Sequence, residues 1–140
     1  MKSNVKYSDI LAMSMESLYE WYSEDFIIEI PDIKDLTTQA DLISHMLTHF
    51  ANSFVYFDCM ASMFESVVRQ NKYVKAETDT KKNDVKLLIN KRDALIHFAD
   101  QMKFCYNALS RQCTVKIESN KELNMLNNCL LYTSPSPRDA

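Results

Sequence analysis

Between residues 69 and 92, eight basic side chains stand against three acidic ones. The cations are Arg69, Lys72, Lys75, Lys81, Lys82, Lys86, Lys91 and Arg92, and the anions are Glu77, Asp79 and Asp84. Converging cations suit a phosphate backbone, because releasing the counterions condensed on a nucleic acid drives binding. Tyr73 lies among them and offers a ring on which an unpaired base can stack. The same charges are also what an ordinary solvated tip carries, keeping it soluble. The rest of the chain is opposite or neutral in sign. Residues 1–68 hold three basic against eleven acidic side chains, and residues 93–128 hold four of each. The acidic stretch Glu20, Glu24, Asp25, Glu29, Asp32 and Asp35 reads as a solvated face, or as a contact for a basic partner.

Other chemistries find little support. His45 and His49 are spaced i, i+4 like a two-histidine metal site, yet both lie off the apolar seam and no metalloprotease-type acid follows, so they read as surface histidines. No Ser-His-Asp, Cys-His or paired-carboxylate arrangement stands out. Glycine is absent, which excludes the Gly-rich loops that cradle nucleotide phosphates. Cys59, Cys105 and Cys113 include no CxxC pair and read as buried thiols in a reducing compartment. The expectation is a non-enzymatic protein with no cofactor and no metal. No apolar run approaches the length of a membrane span, so a protein in solution, in a cytoplasm, is expected.

The elements that must position the basic cluster are helices. Average usage is roughly 7% Gly and 5% Pro, whereas this chain has no Gly and, before residue 129, only Pro31. Tight hairpin turns between strands are thereby disfavoured. The first helix is expected over 8–22, capped by Ser8, with Leu11, Met15, Leu18 and Tyr22 on one face. Phe26 to Pro31 is expected to be an extended arm that docks against something, since Pro31 biases Ile30 away from helix. A second helix is expected over 38–75, roughly 55 Å long, starting at a capping-box-like Thr38-Gln39-Ala40-Asp41. Its seam is Ile43, Leu47, Phe50, Phe54, Phe57, Ala61, Phe64 and Val68, spaced four and three without a slip. A third helix over 82–113 repeats the pattern in Val85, Leu88, Arg92, Leu95, Ala99, Met102, Tyr106, Leu109 and Cys113. Arg92 on that seam reads as register control, as a snorkelling guanidinium, or as half of an ion pair between protomers.

The polar stretch Ala76 to Lys82 is the natural reversal point. Two heptad helices joined there make a long antiparallel helical hairpin with the basic cluster at its tip. Thr114 to Asn128 either prolongs the third helix or forms a short C-terminal one. The fold class is therefore all-α: a short N-terminal helix, an extended linker, a long antiparallel coiled-coil hairpin and a short C-terminal helix, in one domain over 1–128. The second helix is apolar beyond its seam at Met46, Val55, Tyr56, Cys59, Met60, Met63 and Val67. One partner helix cannot cover so wide a surface, so the first helix or, preferentially, further copies of the chain are expected to pack on it.

Residues 129–140 read differently from the rest. Cys-Leu-Leu-Tyr-Thr-Ser-Pro-Ser-Pro-Arg-Asp, over residues 129–139, is the translation of a transposon-end sequencing adapter in one reading frame. The expectation is a non-native tail from an environmental assembly, excluded from fold reasoning, with the natural sequence ending its match at Asn128.

The layout resembles the UvsY-type recombination mediators of tailed phages. Glu20-Trp21 with Asp25 resembles the acidic-aromatic pair that ends the family's first helix. Asp32 to Leu36 resembles the Asp-x-x-x-Leu step into its first long helix, and Ser110-Arg111 with Val115-Lys116-Ile117 its C-terminal pattern. Members tend to carry Lys along the first long helix and an aromatic-Gly turn after it. This chain has neither, which confines family-like contacts to Arg69, Lys72 and Lys75. The resemblance implies a homo-oligomer that binds single-stranded DNA in an infected bacterial cytoplasm, loosens a single-strand-binding protein and helps a recombinase load. With charge and position considered together, the residues expected to touch the strand are Arg69, Lys72, Tyr73, Lys75, Lys81, Lys82 and Lys86. The competing expectation is a scaffold or adaptor hairpin of a phage with no affinity for nucleic acid.

Overall fold

An apolar repeat of four and three keeps two long helices in contact along their length, and the chain uses it twice. The computed structural model describes the backbone of residues 5–72 and 79–131 and the side chains of residues 5–71 and 82–119. Its elements are α1 (Tyr7–Ala12), α2 (Met15–Asp25), α3 (Ala40–Lys72) and α4 (Asp79–Leu131). No strand occurs among the described residues. α3 and α4 form the expected antiparallel hairpin. Glu65 of α3 meets Arg92 of α4, while Ile43 and Leu47 share a groove with Cys113 and Ile117 at the other end. The seam follows the one read from the sequence except on α4, where Tyr106 is exposed and Phe98, off the expected seam, is wholly buried. Phe50, Phe57, Phe64, Leu95, Met102 and Leu109 are wholly enclosed, and Leu47, Phe54 and Leu88 are half-buried.

The helix ends differ from expectation in four places. The first helix is two helices. Met13 and Ser14 are extended, and the Ser14 hydroxyl caps α2 by accepting from the Ser17 amide at 3.1 Å. A serine that bonds its own downstream amide offers the backbone an alternative to continued helix. Ser8 is consequently not a cap. Lys6 takes that position, and its amide donates to Asp9 Oδ2 at 2.8 Å. The break also turns the apolar face, so Ile10 is buried and Leu11 is exposed.

At the start of α3, Thr38 and Asp41 do not form the expected box. Thr38 donates back to the Asp35 carbonyl, while Gln39 Oε1 accepts from the amides of Lys34 and Asp35 at 2.8 and 3.0 Å. The amide oxygen thus holds the turn that precedes the helix. α4 passes the expected end at Cys113 and runs to Leu131, taking in the stretch expected as a short C-terminal helix, because no Gly or Pro interrupts it between Thr114 and Leu131. Of the expected non-native tail, Cys129 to Leu131 continue this helix and residues 132–140 lie outside the described residues. The expected end of the second helix at Lys75, and the reversal as far as residue 78, also lie outside them; Asp79 is already helical.

The wide apolar face of α3 is covered largely by the chain's own N-terminal segment. Met46 and Met60 are buried, and the Tyr56 hydroxyl donates to the Val5 carbonyl at 2.8 Å. Tyr7 lies on Phe64 with ring centres 4.9 Å apart. The extended arm docks at its two ends, through Phe26 and Ile33, and leaves Ile27 and Ile28 exposed. Val55 and Met63 stay exposed, as does Cys59, which is therefore not the buried thiol expected.

An aromatic cluster joins the N-terminal segment to the hairpin. Tyr22 of α2 stacks on Phe98 of α4 at 3.8 Å and 8° between planes. Phe57 touches the rings of Trp21, Tyr22, Phe26, Tyr56 and Phe98, all between 4.5 and 5.9 Å. Trp21 Nε1 is buried with no hydrogen-bond partner among the described residues and lies in the aromatic cluster. Burial pushes the hydroxyls of Tyr22 and Tyr56 up to about 12.

Lys91 fastens α1 to α4. Its side chain is 1% exposed, and Nζ donates to the carbonyls of Ile10 and Leu11 at 2.9 and 2.7 Å. Those oxygens belong to the last turn of α1, where the Ile10 carbonyl also accepts from the Met13 amide at 3.2 Å and a cation meets the negative end of the helix dipole.

Candidate nucleic-acid interface at the hairpin tip

The antiparallel pairing brings the end of α3 beside the start of α4, and with them cations that are separated in sequence. Arg69, in the last turns of α3, is exposed, and so are Lys82 and Lys86 on α4. Lys82 and Lys86 are four apart and share one face of the helix. Neither forms an ion pair within the described residues. Lys72 and Lys81 have described helical backbone only, and Tyr73 and Lys75 lie outside the described residues.

The tip is less cationic than its composition. Glu65 accepts from Arg69 Nε at 3.0 Å along α3 and from Arg92 Nη1 at 2.7 Å across the hairpin. Arg92 also binds Asp93 at 2.9 Å. Of the roles open to Arg92, the structure places it in an ion pair within one chain, at the rim of the seam. Lys91 is withdrawn altogether into the contact with α1. Among the described residues, the cations left for a ligand are Arg69, with its charge partly shared, Lys82 and Lys86.

Hydrogen bonds from Arg92 and then Arg69 hold the Glu65 carboxyl below its usual range of about 4.5. A carboxylate whose folded value is depressed adds stability above the unfolded value and loses it as pH falls. Glu65→Gln is therefore expected to flatten the acid side of the stability curve. Urea melts between neutral pH and about pH 4 will check this, and parallel curves for the two proteins would count against the shared pair.

The remaining chemistry-bearing residues form no site. His45 is exposed, and His49 Nε2 lies 3.0 Å from the Phe26 carbonyl, anchoring the extended arm. Cys105 and Cys113 are half-buried, and burial pushes the Cys105 thiol up. No cluster of three or more metal-ligating side chains occurs among the described residues. No described helix is long and apolar enough to cross a membrane.

Two features escaped the sequence reading. The Glu65–Arg69 half of the network has a legible i, i+4 spacing, whereas Glu65–Arg92 depends on the stagger of the two helices. Lys91 sits beside Arg92 in a polar run, and nothing local distinguishes it from a solvated lysine. Set against protein-family models, curated proteins and solved structures, the chain matches none.

Proposed function

We propose that this chain is a non-enzymatic accessory protein that holds single-stranded DNA at its basic hairpin tip. The observation that carries the reading is the convergence of Arg69, Lys82 and Lys86 at one end of the α3/α4 hairpin, with both lysines exposed and in no ion pair among the described residues. A strand laid across such a tip exchanges counterions for fixed cations. Tyr73, next in sequence to the end of α3, supplies a stacking surface that favours unpaired bases over a duplex. In this reading the protein acts in the cytoplasm of an infected bacterial host. Its DNA-bound form weakens the hold of a single-strand-binding protein and helps a recombinase load, as the resemblance to phage recombination mediators implies. The exposed acids Glu20, Glu24, Glu29 and Asp32 then face a protein partner.

The test is fluorescence anisotropy with a labelled oligothymidylate over a salt series. Binding is expected at low salt, with Arg69, Lys82 and Lys86 together changed to Ala reducing the log–log salt slope by about 2 (about 0.7 per single-strand phosphate contact). Changing Lys116, far from the tip, should leave the slope unaltered. A correctly folded protein that ignores the oligonucleotide at low salt overturns the reading. The alternative, a scaffold or adaptor hairpin, draws support from Glu65, which takes up charge from Arg69 and Arg92. It anticipates that no-binding result.

A further inference from the structure

We infer that the groove between the extended arm and the start of α3 receives a basic, extended segment of a partner protein. Ile28, Pro31, Leu42 and Met46 form an apolar hollow of about 380 Å³ there, with Glu29 and His45 also on its lining. Met46 is its buried floor, whereas Leu42 is 48% and Ile28 39% exposed. A hollow of this size has room for a large apolar side chain. The arm's two anchors hold it open. Phe26 is enclosed, with its carbonyl 3.0 Å from His49 Nε2, and Ile33 is buried at the other end. Between them Pro31 keeps Ile30 out of helix, so the arm cannot shorten by coiling.

Charge says what kind of segment fits. From Asp9 to Glu65 the chain carries eleven acids and one cation, Lys34. Glu29 lines the hollow, and Asp41 precedes Leu42 in the first turn of α3. Both are exposed, and neither forms an ion pair among the described residues. Asp41 also offsets the positive end of the α3 dipole, which would otherwise repel a cation. Asp32 lines a second groove with Arg111 and Lys116, which leaves Glu29 and Asp41 as the acids of this one. An apolar hollow with acids at its rim suits an apolar anchor flanked by Lys or Arg.

The main chain says what conformation fits. Through their backbone, residues 27–30 make no hydrogen bond among the described residues. Ile27, Ile28 and Glu29 are exposed, so these donors and acceptors are open to a partner. An extended segment laid beside the arm bonds them as an added strand does. Its alternate side chains share one direction, which sends apolar residues to the hollow and leaves Lys or Arg between them for the rim. The inference names the chemistry of the protein partner proposed for these acids, and rests on that part of the proposed function.

Fluorescence anisotropy with a labelled, capped peptide of alternating Leu and Lys, without nucleic acid, tests this separately from DNA binding. The wild type is expected to bind it. A peptide of Leu and Glu, and one of Ala and Lys, should each bind at least about tenfold more weakly. Leu42→Lys puts a cation at the mouth of the hollow, and Glu29→Lys reverses the charge of its rim. Each should weaken binding of the Leu and Lys peptide by about tenfold or more. Asp58→Lys makes the same change in net charge as Glu29→Lys, about 24 Å from Leu42 along α3. It should leave binding within about twofold, because salt screens charge over that distance. Glu29 lies outside the helices, so its variant serves if circular dichroism shows Leu42→Lys to unfold. A wild type that ignores the Leu and Lys peptide overturns the proposal. So does equal binding of the Leu and Glu peptide, or a loss in Asp58→Lys as large as in Glu29→Lys.

Discussion

Phe57→Ala is expected to destabilise the chain by about 3–5 kcal/mol, the largest effect of any single truncation. Phe57 is fully enclosed, and five aromatic rings from α2, α3, α4 and the extended arm converge on it. Truncation removes the transfer energy of the ring. It also leaves a cavity that rigid neighbouring rings cannot close, and each lost aromatic pair adds about 0.5–1.5 kcal/mol. Because a domain of this size is stable by only about 5–15 kcal/mol, the variant should sit near its threshold. Chemical denaturation will read the change as a lower midpoint. A loss below about 1 kcal/mol would show that the aromatic cluster is loosely packed.

Lys91→Ala is expected to cost about 2–4 kcal/mol, through the lost stem, the stranded carbonyl of Leu11 and the loss of one of two donors to Ile10. Lys91→Met keeps the stem and loses only the donor, so it should fall between the wild type and Lys91→Ala. The two proteins also differ in pH response. Burial lowers the ammonium of Lys91 below its usual value of 10.5. The unfolded chain therefore binds more protons than the folded one just below that pH, and wild-type stability gains from Lys91 as pH rises through the window. Lys91→Met lacks this gain, so the stability gap between the two should widen from neutral pH towards about pH 10. Tyr22 and Tyr56, raised to about 12, act in the opposite sense above about pH 10. They are common to both proteins and cancel in the difference. A gap that narrows with pH would mean that the ammonium is stabilised where it lies. Proteolysis near residue 12 offers a second readout, because α1 is held chiefly by Lys91, Tyr56 and the Tyr7–Phe64 contact.

The hairpin was legible in the sequence because its cause is periodic. A heptad seam is repeated over many turns, so local errors average out, and the absence of Gly and Pro removes the residues that would interrupt it. The tip cluster was legible as composition for the same reason, since charge adds along a segment wherever each side chain points. Single polar contacts do not add in this way. Ser14 broke the first helix because one hydroxyl found one amide. Gln39 displaced Thr38 at the head of α3 because its longer side chain reaches back to two amides.

What the sequence by itself determined is the all-α class, the two long helices, their apolar seam and the placing of positive charge where they reverse. Tertiary structure alone decided which of those charges remain available. Lys91 and Arg92 are neighbours in a basic run, yet about 100° apart around α4. One therefore turns inward to the end of α1, and the other turns to Glu65 across the hairpin. The broad apolar flank of α3 was decided in the same way. It called for a cover, and the N-terminal segment supplies most of it because the break at Ser14 lets α1 and α2 each lay a separate face on the hairpin. The physical reason is common to both. Periodicity fixes a residue's direction relative to its own helix, and only the packing of helices upon one another fixes what lies in that direction.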